Sequence, residues 1–137
     1  MIKLIAGQKG EGKTKRLIRE ANEKVSTTDS RIVFIDDDKR HIYDLHHRIR
    51  FVDTEDFPLA NYRELVGFIY GILSQDNDIA EIFMDGISNL VKDIDTEGLL
   101  KLKTRLDNIV STHGVNFTMT LNCEPEELPE ELKALIA

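Results

Sequence analysis

Short apolar runs alternate along the chain with longer stretches in which apolar residues recur every three or four positions. Residues 2–6 (IKLIA) form the first run and stop at Gly7, as a buried strand does. Between residues 13 and 25, Leu17 is followed by Ile18, Ala21 and Val25 at offsets of 1, 4 and 8, which lie on one helical face. A polar loop (STTDS, 26–30) leads to RIVFID at 31–36, a β-branched run that predicts a second strand. Residues 39–47 fit neither period well and suit a helical turn, and IRFVD at 49–53 suits a short strand.

The second half repeats the alternation. Residues 59–75 predict a helix with Tyr62, Leu65, Val66, Ile69, Ile72 and Leu73 on one face and Pro58 suited to its first turn. Gly67 and Gly71 in that helix fit close packing of helix on sheet. IAEIFMD at 79–85 predicts a strand. Residues 97–112 predict a helix through Leu99, Leu102, Leu106, Ile109 and Val110, with Thr96 as N-cap and Gly114 as C-terminal cap. VNFTMTL at 115–121 is a further strand, and Pro129, Glu130 and Glu131 open a terminal helix. Strands alternating with helices predict an α/β fold, a three-layer α/β/α sandwich around a mostly parallel sheet of 4–5 strands. Strands apolar throughout fit a sheet covered on both faces. No repeat or linker divides the chain, so residues 1–137 are expected to form a single domain.

Composition narrows the setting. No apolar run reaches the roughly 18–20 residues of a membrane span, and the first residues lack the apolar core of a secretion signal. The single cysteine, Cys123, fits a reducing compartment, so a cytoplasmic protein with no membrane partner is expected. A net charge of -7 opposes non-specific binding to nucleic acid. Any nucleic-acid contact would be local, and the one basic concentration is KRHIYDLHHRIR at 39–50, more simply read as a solvated face. Its His41, His46 and His47 lack the spacing of a helical metal pair.

The chemistry concentrates at residues 7–14, GQKGEGKT, which satisfy G-x-x-x-x-G-K-[ST] between a predicted strand and a predicted helix. Glycines let successive backbone N–H groups turn inward onto phosphate oxygens, and the following helix adds its positive N-terminus. Lys13 is the residue to reach the β- and γ-phosphates, and Thr14 offers a hydroxyl to Mg²⁺. This segment resembles the Walker A loop of P-loop NTPases. The resemblance implies ATP and Mg²⁺ as ligands, with Gly7, Gln8, Lys9, Gly10, Glu11, Gly12, Lys13, Thr14 and Lys15 around the nucleotide.

Asp85, closing the apolar run IAEIFMD, resembles the Walker B aspartate that organises Mg²⁺ with Thr14. A RecA-like layout would set the 115–121 strand between the strand of the glycine-rich loop and that of Asp85. Many P-loop ATPases carry a glutamate after that aspartate as the base that activates water, and Gly86 stands there instead. Asp36, Asp37, Asp38 and Glu11 remain alternatives for the base. Asn122 or Thr120 resembles the polar sensor on the neighbouring strand, and Lys13, Asp85 and Asn122 are the expected catalytic set. No N-K-x-D sequence reads guanine, which favours ATP over GTP.

The expected function is Mg²⁺-dependent ATP binding with slow hydrolysis, the chain acting as a subunit or switch beside another protein or a second copy. Two alternatives stay open: a small-molecule or nucleoside kinase in which Asp36 or Asp37 holds the acceptor hydroxyl, and a non-catalytic, nucleotide-dependent assembly protein. Arg48, Arg50 or Arg63 would be available to complete a neighbour's site.

Overall fold

Each predicted apolar run forms a strand in the computed structural model, which describes residues 1–137: β1 (Ile2–Gly7), β2 (Arg31–Asp36), β3 (Ile49–Asp53), β4 (Ile79–Met84) and β5 (Asn116–Asn122). They make one sheet in the order β1-β5-β4-β2-β3, with every pairing parallel. The sheet is therefore wholly parallel rather than mostly so, and β5 lies between β1 and β4.

Alternation along the strands sends buried side chains to both faces. Ile32 and Phe34 join a core of 8 buried residues under α1 (Lys13–Val25), with Leu17, Ala21 and Val25 of the helix. Phe34 sits there between Phe51 and Phe83, with ring centroids 6.4 and 6.5 Å away. Val33 and Ile35 face the other way, into a core of 22 buried residues. That core is closed by α2 (Tyr62–Gln75) through Leu65, Val66 and Ile69, and by α4 (Thr96–His113) through Leu102, Leu106 and Ile109. Burial on two faces is what the uninterrupted apolar strands require.

Several local expectations are corrected. The helix predicted from 59 starts at Tyr62, because Asn61 caps it by accepting from the Glu64 N–H at 3.0 Å while Glu64 reaches back to the Ala60 N–H at 2.7 Å. Pro58 stays in the preceding loop, outside the first turn. Asp95, not Thr96, caps α4: its carboxylate accepts from the Gly98 N–H at 2.8 Å, and Thr96 is the first helical residue. Gly67 and Gly71 lie on the exposed side of α2 with nothing near a would-be Cβ, so they serve no close packing. The helical turn expected within residues 39–47 is present as one 3-10 turn, Ile42–Asp44.

A four-residue helix that the periodicity does not reveal, α3 (Ile87–Leu90), follows β4 after Gly86. The terminal helix α5 (Glu130–Lys133) is one turn long, and the chain after it lies along the outer edge of β1. The Leu4 N–H donates to Leu135 O at 2.8 Å, and the Ala137 N–H donates to Leu4 O at 3.1 Å. No helix is long and apolar enough to cross a membrane.

Candidate functional site

In a parallel sheet all strands deliver their following loops to one edge, and ligands bind beyond that edge. Here the edge carries the glycine-rich turn after β1, the acids after β2 and β4, and the end of β5. Gly10 and Gly12 hold φ of +88° and +83°, a left-handed backbone that side chains resist. The turn passes directly into α1, whose N-terminus carries no side-chain cap. Gln8 ties the turn to the chain after β5 through a 2.7 Å bond from Nε2 to Glu124. Lys13 folds back across the turn and donates from Nζ to Gln8 O at 2.6 Å.

Two strands away, Asp85 receives hydroxyl donors from two directions. Thr14 Oγ1 lies 3.0 and 3.2 Å from its two oxygens, and Thr120 Oγ1 donates to Oδ1 at 2.8 Å. Thr120 in turn accepts from the Gly86 N–H at 2.6 Å. The order β1-β5-β4 produces this meeting, since Thr120 stands on the strand between the other two. A hydroxyl and a carboxylate held together are hard oxygen donors of the kind a small divalent cation takes, with its remaining ligands from water or phosphate.

Asp36, the last residue of β2, is 3% exposed. Burial pushes its carboxyl up to about 8; a hydrogen bond with the Asp37 carboxyl and the charge of Asp85 push the same way. The Asp37 N–H donates to Asp36 Oδ1 at 2.7 Å. The carboxylates of Asp36, Asp37 and Asp38 lie within 4.8 Å of one another, but Asp38 turns outward to pair with Arg40 at 2.9 Å.

These groups surround a cavity of about 370 Å³ with no hydrophobic residue in its lining. Lys9, Lys13 and Lys15 contribute from the loop and helix side, and Asp36, Asp37 and Asp85 from the sheet edge. Of the residues singled out by sequence, Gly10, Gly12, Thr14, Gly86, Thr120 and Asn122 also line it. Gly7, Gln8 and Glu11 do not. Gly7 ends β1, Gln8 is turned to Glu124, and Glu11 lies so close to Gly7 that a Cβ there would come within 2.9 Å of its Oε2. Of the two β5 residues, Asn122 is exposed, whereas buried Thr120 makes the contacts to Asp85 and Gly86.

Arg40 and His41, expected on a solvated basic face, line the cavity instead, because they follow β2 where it ends at this edge. Asn89 of α3 also lines it and had no signal in the sequence beyond its position just after β4. Arg48 is occupied elsewhere: its guanidinium donates to Val25 O and Thr28 O at 3.3 Å each, closing the C-terminal end of α1. Arg63 packs over the Tyr62 ring at 5.2 Å. Burial, with Glu127 and Glu124 nearby, pushes the Cys123 thiol up, so no thiolate nucleophile is ready at neutral pH. The chain matches no protein-family model and no curated protein.

Proposed function

We propose that the chain binds ATP with Mg²⁺ in the 370 Å³ cavity and hydrolyses it slowly. The observation that carries this reading is the meeting of Thr14 and Asp85 directly beside a glycine-rich turn and an uncapped helix N-terminus. The turn and the first N–H groups of α1 would receive phosphate oxygens. Lys13, released from Gln8 O, would extend its ammonium to the terminal phosphates. Thr14 and Asp85 would hold Mg²⁺, which when bound neutralises charge on those phosphates.

Gly86 leaves no carboxylate immediately after Asp85. The acids on the next strand are then the available bases, and Asp36, with its carboxyl held at about 8, keeps its proton at neutral pH. A protonated carboxyl takes no proton from water, so Asp36 is not that base. A slowly hydrolysing site suits a subunit or switch whose state depends on bound nucleotide, with a second copy or another protein as the reader of that state.

The test is titration with a fluorescent ATP analogue, with and without Mg²⁺, on the wild-type chain and Lys13→Ala. Loss of charge-assisted bonds to phosphate is expected to weaken binding about 10- to 100-fold. Equal affinity in the two proteins would overturn the reading.

A further inference from the structure

A second cavity, of about 570 Å³, opens beside the first, and Asp37 and Asn89 line both. Its walls come from the chain after β3 and from α3 with the segment that follows it. Thr54 anchors the first of these, with its N–H donating to Asp36 O at 2.9 Å and its hydroxyl to the same oxygen at 3.4 Å. Leu59 forms a parallel bridge to Val91, which joins the two walls. The volume is ordinary for a small-molecule site.

We propose that this cavity holds a phosphoryl acceptor, a small hydroxyl-bearing molecule that is neutral or cationic, and that Asp37 receives the proton of its hydroxyl. The proposal rests on the reading of the first cavity as a nucleoside triphosphate site. Its chemistry follows from the lining. Pro58, Leu59 and Leu90 offer an apolar surface to the body of the acceptor. Asp37, Glu55 and Asp93 outnumber Lys92, the one cation, so an anionic acceptor meets repulsion and a cationic one attraction. The carboxylates of Glu55 and Asp93 make no ion pair within the chain, which leaves them free for such a ligand.

Asp37 lines both cavities, so an acceptor hydroxyl in the second and a terminal phosphate in the first would share it as a neighbour. In the reaction the hydroxyl oxygen forms a bond to the γ-phosphorus. The bond from that phosphorus to the β,γ-bridging oxygen breaks, and the nucleoside diphosphate leaves with the electron pair. The hydroxyl proton passes to Asp37. Holding the acceptor in place of water is the positional advantage such a cavity supplies.

The purified full chain would be incubated with γ-labelled ATP and Mg²⁺ in the presence of two groups of probes. Nucleosides, hexoses and amino alcohols represent neutral and cationic acceptors; hydroxy acids and sugar phosphates represent anionic ones. Label is expected on at least one neutral or cationic compound. Transfer per bound ATP is expected to fall at least about ten-fold in Asp37→Asn and in Ala60→Trp, which adds bulk at an exposed residue of the second cavity's lining. Glu55→Arg is expected to shift preference toward anionic acceptors. ATP binding in the wild-type chain with label appearing only as inorganic phosphate, or only on anionic compounds, would overturn the acceptor proposal alone. No ATP binding in the wild-type chain would overturn the nucleotide reading and this one with it.

Discussion

Thr120 donates its hydroxyl to Asp85 at 2.8 Å and accepts the Gly86 N–H at 2.6 Å, so one side chain of β5 fixes both the carboxylate and the turn that follows it. Valine has nearly the same shape and neither bond. Thr120→Val would leave the Gly86 N–H buried without a partner, at a cost of about 1–3 kcal/mol. Chemical denaturation should show that loss. Mg²⁺-dependent ATP binding should weaken as well, because Asp85 loses one of its two hydroxyl donors.

Asp36 sets a pH dependence of stability. Its carboxyl is raised from 3.8 to about 8 in the folded chain, so between those values the folded state holds a proton that the unfolded state has released. Its contribution is fully present below about 4 and is lost as pH rises toward 8. Asp36→Asn, which cannot ionise, should therefore flatten the fall in Tm across this interval. Thermal melts of both proteins at pH 5 and pH 8 would check it; parallel Tm curves would count against a buried, protonated Asp36.

Gly12 holds φ at +83° where the turn enters α1. Nothing lies within 4 Å of a would-be Cβ, so the penalty for Gly12→Ala is one of backbone conformation, about 1–2 kcal/mol. If the backbone relaxes to avoid it, N–H groups turn away from the cavity. ATP affinity, measured by titration, should fall along with the denaturation midpoint.

Phe34 is fully buried between two other rings. Phe34→Ala should cost about 3–5 kcal/mol in equilibrium unfolding, through lost burial and the cavity left behind. A loss below 1 kcal/mol would mean that the smaller core under α1 collapses around the gap.

How much of this was legible in the sequence depended on the range of the interaction. The strands follow from uninterrupted apolar runs such as RIVFID, whose residues find cover on either face. The glycine-rich loop could be read because its chemistry is local, within eight consecutive residues from Gly7 to Thr14. Asp85 was legible from the apolar run before it. The role of Thr120 was not separable from that of Asn122, because the choice depends on which β5 residue faces Asp85 across the sheet. Arg48 looked free in a basic cluster, yet it is engaged by carbonyls 20 and 23 residues away. Asn61 and Asp95 displaced the expected helix starts because side-chain caps, rather than a nearby proline or threonine, set where the first turn forms. The second cavity has no linear signature, since its walls join only where Leu59 meets Val91.

The strand order also bears on how the chain acquires its shape. β1 is synthesised before the other four strands of the sheet, but its ladder partners are β5 and the segment at Leu135–Ala137. β2, β3 and β4 can pair among themselves while β1 waits, and closing the gap from Ile2 to Phe117 links residues more than a hundred positions apart. Contacts of such sequence separation form late and slowly. During synthesis the glycine-rich turn would remain without its flanking strand until Asn122 has left the ribosome, so the first part of the site to be made is among the last to become competent.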